Sequence, residues 1–141
     1  MRSNYYKLMN SLFSSILAGF LAGLFDIFFY IGNVKIFSYI SYHILGINSI
    51  ILGIILHLIA SIVIFAIIIT ILNIVKIEVG SAISALILGI MIGSSVLALF
   101  SLPIHLLVFP ISLDITYVLS HVFYGILGYL IYYSLIKNSK N

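Results

Sequence analysis

Asp26, His57 and His121 are the residues of this chain whose chemistry asks for an explanation. Each falls inside an apolar run of about twenty residues, long enough to cross a bilayer. An ionisable side chain there costs insertion free energy, so it wants a partner or a purpose. A carboxylate beside an imidazole can share a proton or hold a small cation, and histidine titrates near neutral pH. Two histidines and one carboxylate are also a recognised metal set, and His57 and His121 on two helices suit axial ligation of a b-type haem. His43, His105 and Asp114 stand above these three, at the mouth of the same side.

Four spans are needed to position them. The chain has 141 residues, 64% of them hydrophobic and 6% charged. A soluble domain carries about one-quarter charged residues, so this composition belongs in a bilayer. Apolar runs at about 11–31, 49–72, 81–102 and 115–136 read as membrane helices. Residues 33–48 and 103–114 are apolar connectors too short to cross, with Pro103 and Pro110 expected to break helix at both ends of the second. The first run is longer than the 7–15-residue core of a signal peptide, so it is expected to stay as a span. The fold class expected is an all-α integral membrane protein, a single domain built as a four-helix bundle.

Each span carries one stripe of small or polar residues at four-residue intervals. The stripes are Gly19 and Gly23 running to Asp26, then Gly53, His57 and Ser61, then Gly89 and Gly93, and last Tyr117, His121 and Gly125. Helices in lipid associate through close approach of small residues and shared hydrogen bonds, so these stripes should face inward. At 1.5 Å per residue, Asp26, His57 and His121 lie about 8, 12 and 9 Å below the ends of their spans. The three therefore share a depth. The two halves also resemble each other, each being a helix, a connector with a histidine, and a helix with a histidine. The His43–His57 and His105–His121 spacings are fourteen and sixteen residues. Two such hairpins insert the same way up and suggest an internal repeat.

Orientation follows from Lys and Arg. Arg2, Lys7, Lys76, Lys137 and Lys140 share one side, and Lys35 alone is on the other. Both termini are therefore expected in the cytoplasm, with the connectors and the Asp/His residues toward the outside. Tyr5, Tyr6, Tyr132 and Tyr133 fit anchors at the inner interface. The six basic residues form no patch for nucleic acid. The chain has no cysteine, hence no disulfide and no thiolate ligand.

The phrase His121-x-x-Tyr124-Gly125, the proline after the third span, His57 and the Gly/Ala-rich first span resemble a family of uncharacterised four-span membrane proteins of bacteria and archaea, loosely similar to the YagU-like inner-membrane proteins. The resemblance implies the four-span fold and carries no biochemical role.

Several readings of the polar residues stand side by side. Asp26 and a histidine can be a pair that only holds the bundle together. They can form a proton- or ion-responsive site in a small transport-related protein. His57 and His121 can ligate haem or a metal, although the spans offer few second-shell partners, which favours no cofactor. The stripes can also serve assembly, as a homo-oligomer or as an accessory subunit of a larger membrane complex. No Ser-His-Asp set, phosphate-binding glycine loop or HExxH pattern is present, so an enzyme acting alone is the least favoured.

Overall fold

Helix α3 (Ile50–Ile74) shows how the sequence builds the molecule. Ile51, Ile55, Ile59, Val63, Ile67 and Ile71 recur every four residues and are exposed. The opposite stripe, Gly53, Ser61, Phe65 and Ile69, is buried. Small and polar residues inside with branched apolar residues outside reverse the pattern of a soluble helix, as a helix solvated by lipid requires.

A computed structural model describes residues 2–107 and 114–138, and every regular element among them is helical. Pro110 and Lys140 lie outside the described residues. The remaining long helices are α1 (Arg2–Phe28), α4 (Ala82–Val96) and α6 (Ile115–Asn138), with α2 (Lys35–Leu45) and α5 (Leu102–Leu107) in the connectors. Segments Met9–Phe28, Ile50–Ile74, Ala82–Leu106 and Ile115–Asn138 are each long and apolar enough to cross a membrane. The chain is an all-α four-helix bundle. In it α1 packs on α3 and α6, and α4 packs on α6.

Backbone contact holds the α4–α6 pair. A Cβ on Gly89 would stand 2.7 Å from the Cα of Ile126, and one on Gly93 2.7 Å from the Cα of Val122. A Cβ on Gly125 would strike the backbone of Gly89 and Gly93 in return. The α1–α3 pair is nearly as tight, with Gly19 facing Phe65 and Gly23 facing Ser61. Gly53 differs from the other small residues of its stripe. It lies under α2, where a Cβ would strike the Phe37 carbonyl, so it seats the connector helix rather than another span.

Hydrogen bonds fasten both ends of the bundle. At the end where α1 begins and α6 finishes, Ser11 Oγ meets the Tyr132 hydroxyl at 2.8 Å and accepts Asn73 Nδ2–H at 2.8 Å. At the connector end, the Tyr30 hydroxyl meets Ser120 Oγ at 2.9 Å. Near mid-span the Tyr124 hydroxyl donates to the Ser61 carbonyl, linking α6 to α3.

The connectors depart from the sequence expectation in one respect each. Residues 33–48 contain the helix α2, whose Ile36, Phe37 and Ser41 are buried while Tyr39, Tyr42 and His43 face outward. Gly46 ends it in the left-handed conformation (φ 71°), its N–H bonded to the Tyr42 carbonyl. Ser41 Oγ then accepts the Ser49 N–H at 3.0 Å, fixing the end of α2 to the start of α3. In the second connector Pro103 does not stop the helix. A π-helical turn, Leu97–Ser101, precedes it, and the chain continues helical to Leu107. An α-helical Pro103 would lack a donor and press on the carbonyl four residues back. The wider turn, with the Leu102 N–H bonded to the Leu97 carbonyl, opens the helix where that conflict would arise. Because the two connectors are built differently, they lend no support to an internal repeat.

Candidate functional site

Asp26 sits in the last turns of α1, on the face turned to α3 and α6, and is buried. Its Oδ2 lies 3.0 Å from His57 Nε2 on α3. The side chains are unequally covered, 3% exposed for Asp26 and 20% for His57. The ring N–H is not aligned on the carboxylate, so the contact is a close acid–base pair rather than a linear hydrogen bond. Asp26 Oδ1 is buried and has no hydrogen-bond partner among the described residues. One carboxylate oxygen thus faces the imidazole, and the other is enclosed without a hydrogen bond. Phe37, reaching in from α2, stacks edge-on against the His57 ring at 5.5 Å between centroids.

His121 belongs to the same region but is held differently. Its Nδ1 lies 2.8 Å from the Tyr117 carbonyl one turn back and 3.1 Å from Ser120 Oγ. Donation to that carbonyl places the proton on Nδ1 and leaves Nε2 as the acceptor of the neutral ring. Ser120 is fully buried and also carries the bond to Tyr30. Tyr30 lies beyond the first span. Burial, and then the Asp26 charge, raise its hydroxyl well above the ordinary phenol range, so it stays a neutral donor and acceptor.

Tyr117 is the centre of a second group. Its hydroxyl meets Ser101 Oγ, and its ring stacks between His105 (4.9 Å) and His121 (4.6 Å). His105 therefore lies inward, against the site. The other two residues expected at the mouth do not. His43 is exposed on α2, its ring against Tyr42. Asp114 caps α6, its Oδ1 accepting the Tyr117 N–H at 2.9 Å, a use of a carboxylate that the free N–H groups and dipole of a helix start explain.

These groups surround a cavity of about 170 Å³ that is lined by Asp26, Tyr30, His57, Ser101, His105 and His121 among others. The structure brings Asp26 and His57 into contact and sets His121 on the same cavity wall. Sequence reading passed over Ser101, Ser120 and Phe37. Ser101 and Ser120 are small hydroxyls in apolar runs, and Phe37 lies in a connector. The available signal was the helical spacing of Tyr117, Ser120 and His121 about one turn.

The geometry does not fit a haem. His57 turns Nε2 toward Asp26, and the cavity is smaller than the roughly 300–1,000 Å³ of pockets that take drug-sized ligands. Nor do three or more His, Asp or Glu residues come together to hold a metal ion among the described residues.

No protein-family model, curated protein or solved structure matches this chain.

Proposed function

We propose that this chain is a small, non-enzymatic, transport-related protein of the cell membrane, with the Asp26–His57 pair as its working site. The observation that carries the reading is the close pair itself, in a cavity, with a buried carboxylate oxygen to spare. A pair meant only to hold two helices would use both oxygens, since an unpaired buried acceptor costs about 1–3 kcal/mol. Here the carboxylate lines the cavity beside the histidine, so that a proton or small cation can be taken up there. The Lys/Arg distribution supports both termini in the cytoplasm and the site open to the outside. Both members of the pair come from one chain, so the reading requires no second copy.

Reconstituted liposomes with an internal pH dye test this. Under an imposed potential, the wild type should carry protons faster than protein-free liposomes, and Asp26→Asn should return the rate to background. A wild-type rate equal to the protein-free rate would remove the transport reading and leave an accessory role.

A further inference from the structure

We infer that the cavity beside Asp26 binds a small organic ammonium ion, with a charged head on the Asp26 carboxylate and an apolar body of a few carbons. This rests on the reading of the Asp26–His57 pair as the working site and names its ligand class.

Three features of the wall converge on that chemistry. The first is the acceptor. Asp26 is 4% exposed, lines the cavity, and has Oδ1 without a hydrogen-bond partner. A cationic donor is the partner that a buried carboxylate most favours. The second is aromatic. Tyr30, Phe37, Phe100 and Tyr124 line the same space, and an aromatic ring attracts a cation that lies over its face. The third is what surrounds the head. Ile40, Ile64 and Val96 complete the wall, and no Lys or Arg lies on it. Such a wall suits a hydrocarbon body and disfavours a fully hydrated metal ion.

Size limits the ligand further. An apolar cavity of about 150 Å³ holds benzene, a molecule of six heavy atoms. At about 170 Å³ the space admits a cation of about that size.

Besides the pair, the titratable groups around the cavity are Tyr30 in the turn after α1, His105 on α5, and Tyr124 and His121 on α6, with Tyr117 behind the last. α2 contributes only apolar residues to the wall. None of these others touches the Asp26 carboxylate in the way His57 does.

The test uses the full chain in lipid-free maltoside micelles, with calorimetry of isoamylamine and of its neutral isostere isoamyl alcohol, corrected for empty micelles. The wild type should bind the amine saturably at pH 8, at least tenfold more tightly than the alcohol. Asp26→Asn, checked for folding by size exclusion and circular dichroism, should lose the preference for the amine. Repeating the titration in nanodiscs identifies the source of the ammonium. Equal affinity in phosphatidylethanolamine and phosphatidylglycerol assigns it to a free amine, and loss of binding only in phosphatidylethanolamine assigns it to a lipid headgroup. Equal binding of amine and alcohol by the wild type would overturn the inference without recourse to any variant. Proton flux that persists in a protein with no amine preference would sink this inference and spare the proposed function.

Discussion

Asp26 on α1 and His57 on α3 face each other at 3.0 Å across the α1–α3 contact, with the backbone at Gly23 drawn against Ser61 one turn along. The small residues and the acid–base pair belong to one interface. Gly23 lets the helices approach, and that approach is what brings a carboxylate and an imidazole together.

Coupling between the two should be measurable. Asp26→Asn and His57→Ala should each destabilise the protein, and the double variant should cost about 1 kcal/mol or more less than the sum, within the usual range for residues in contact. The corresponding cycle for Asp26 and His121 should be closer to additive, because His121 is held by the Tyr117 carbonyl of its own helix. Thermal unfolding in one detergent measures both cycles. Strict additivity for Asp26 and His57 would mean the pair does not exist.

Gly125→Ala should be among the most damaging single-methyl changes in the chain. The new Cβ would meet the backbone of Gly89 and Gly93, which has no rotamer to yield, so α4 and α6 must separate. A cost of about 1–3 kcal/mol is expected for such overpacking. Gly32→Ala, where nothing lies near the added carbon, is the control and should leave unfolding unchanged. A Gly125→Ala protein as stable as the control would refute the packing.

Tyr30 gives a prediction in alkali. Its folded hydroxyl is held above the ordinary value of 10.0, chiefly by burial. The unfolded chain therefore releases this proton first. The group's contribution is complete below about pH 10 and is lost as pH rises further. Tyr30→Phe should make the alkaline fall in stability shallower by up to about 1.4 kcal/mol per pH unit, the value of one proton. Matching slopes for the two proteins would show that the hydroxyl is not buried.

Topology can be read with single cysteines, since the chain has none of its own. Asn48→Cys, at the connector end, should react with a membrane-impermeant thiol reagent on intact cells. Glu78→Cys, in the loop between α3 and α4, should react only after permeabilisation. The reverse pattern would place the Asp/His cavity on the cytoplasmic side.

The fold was legible because lipid imposes a simple rule. The stripe Gly53, His57, Ser61, Phe65 on α3 and the run Ile51 to Ile71 opposite it separate cleanly at four-residue spacing. Depth along the spans was legible too, and it brought Asp26, His57 and His121 to one level. Rotation about the helix axis was not. Nothing in one sequence distinguishes an imidazole that points to another helix, as His57 does, from one that bonds back to its own carbonyl, as His121 does. The local use of Asp114 was not legible for a related reason. A carboxylate before a helix serves the first free N–H groups, and here Asp114 accepts the Tyr117 N–H. Gly53 read as a span-to-span contact because the connector's own helix, and so its need for a seat, could not be foreseen.

The π-helical turn at Leu97–Ser101 acts as a phase correction. Residues spaced by four drift around an α-helix, and from Gly89 to His105 the drift over sixteen residues would reach about 160°, nearly the opposite face. A π turn absorbs one extra residue, which cuts that drift to about 60°. Gly89 and Gly93 can therefore touch α6 while Ser101 and His105, two to three turns farther on, still meet Tyr117 on the same helix. Removing a single residue from this turn would close it to α-helix and keep His105 in register, whereas adding one residue between Gly93 and His105, with no second bulge to absorb it, would restore the drift of about 160° and swing His105 away from the cavity.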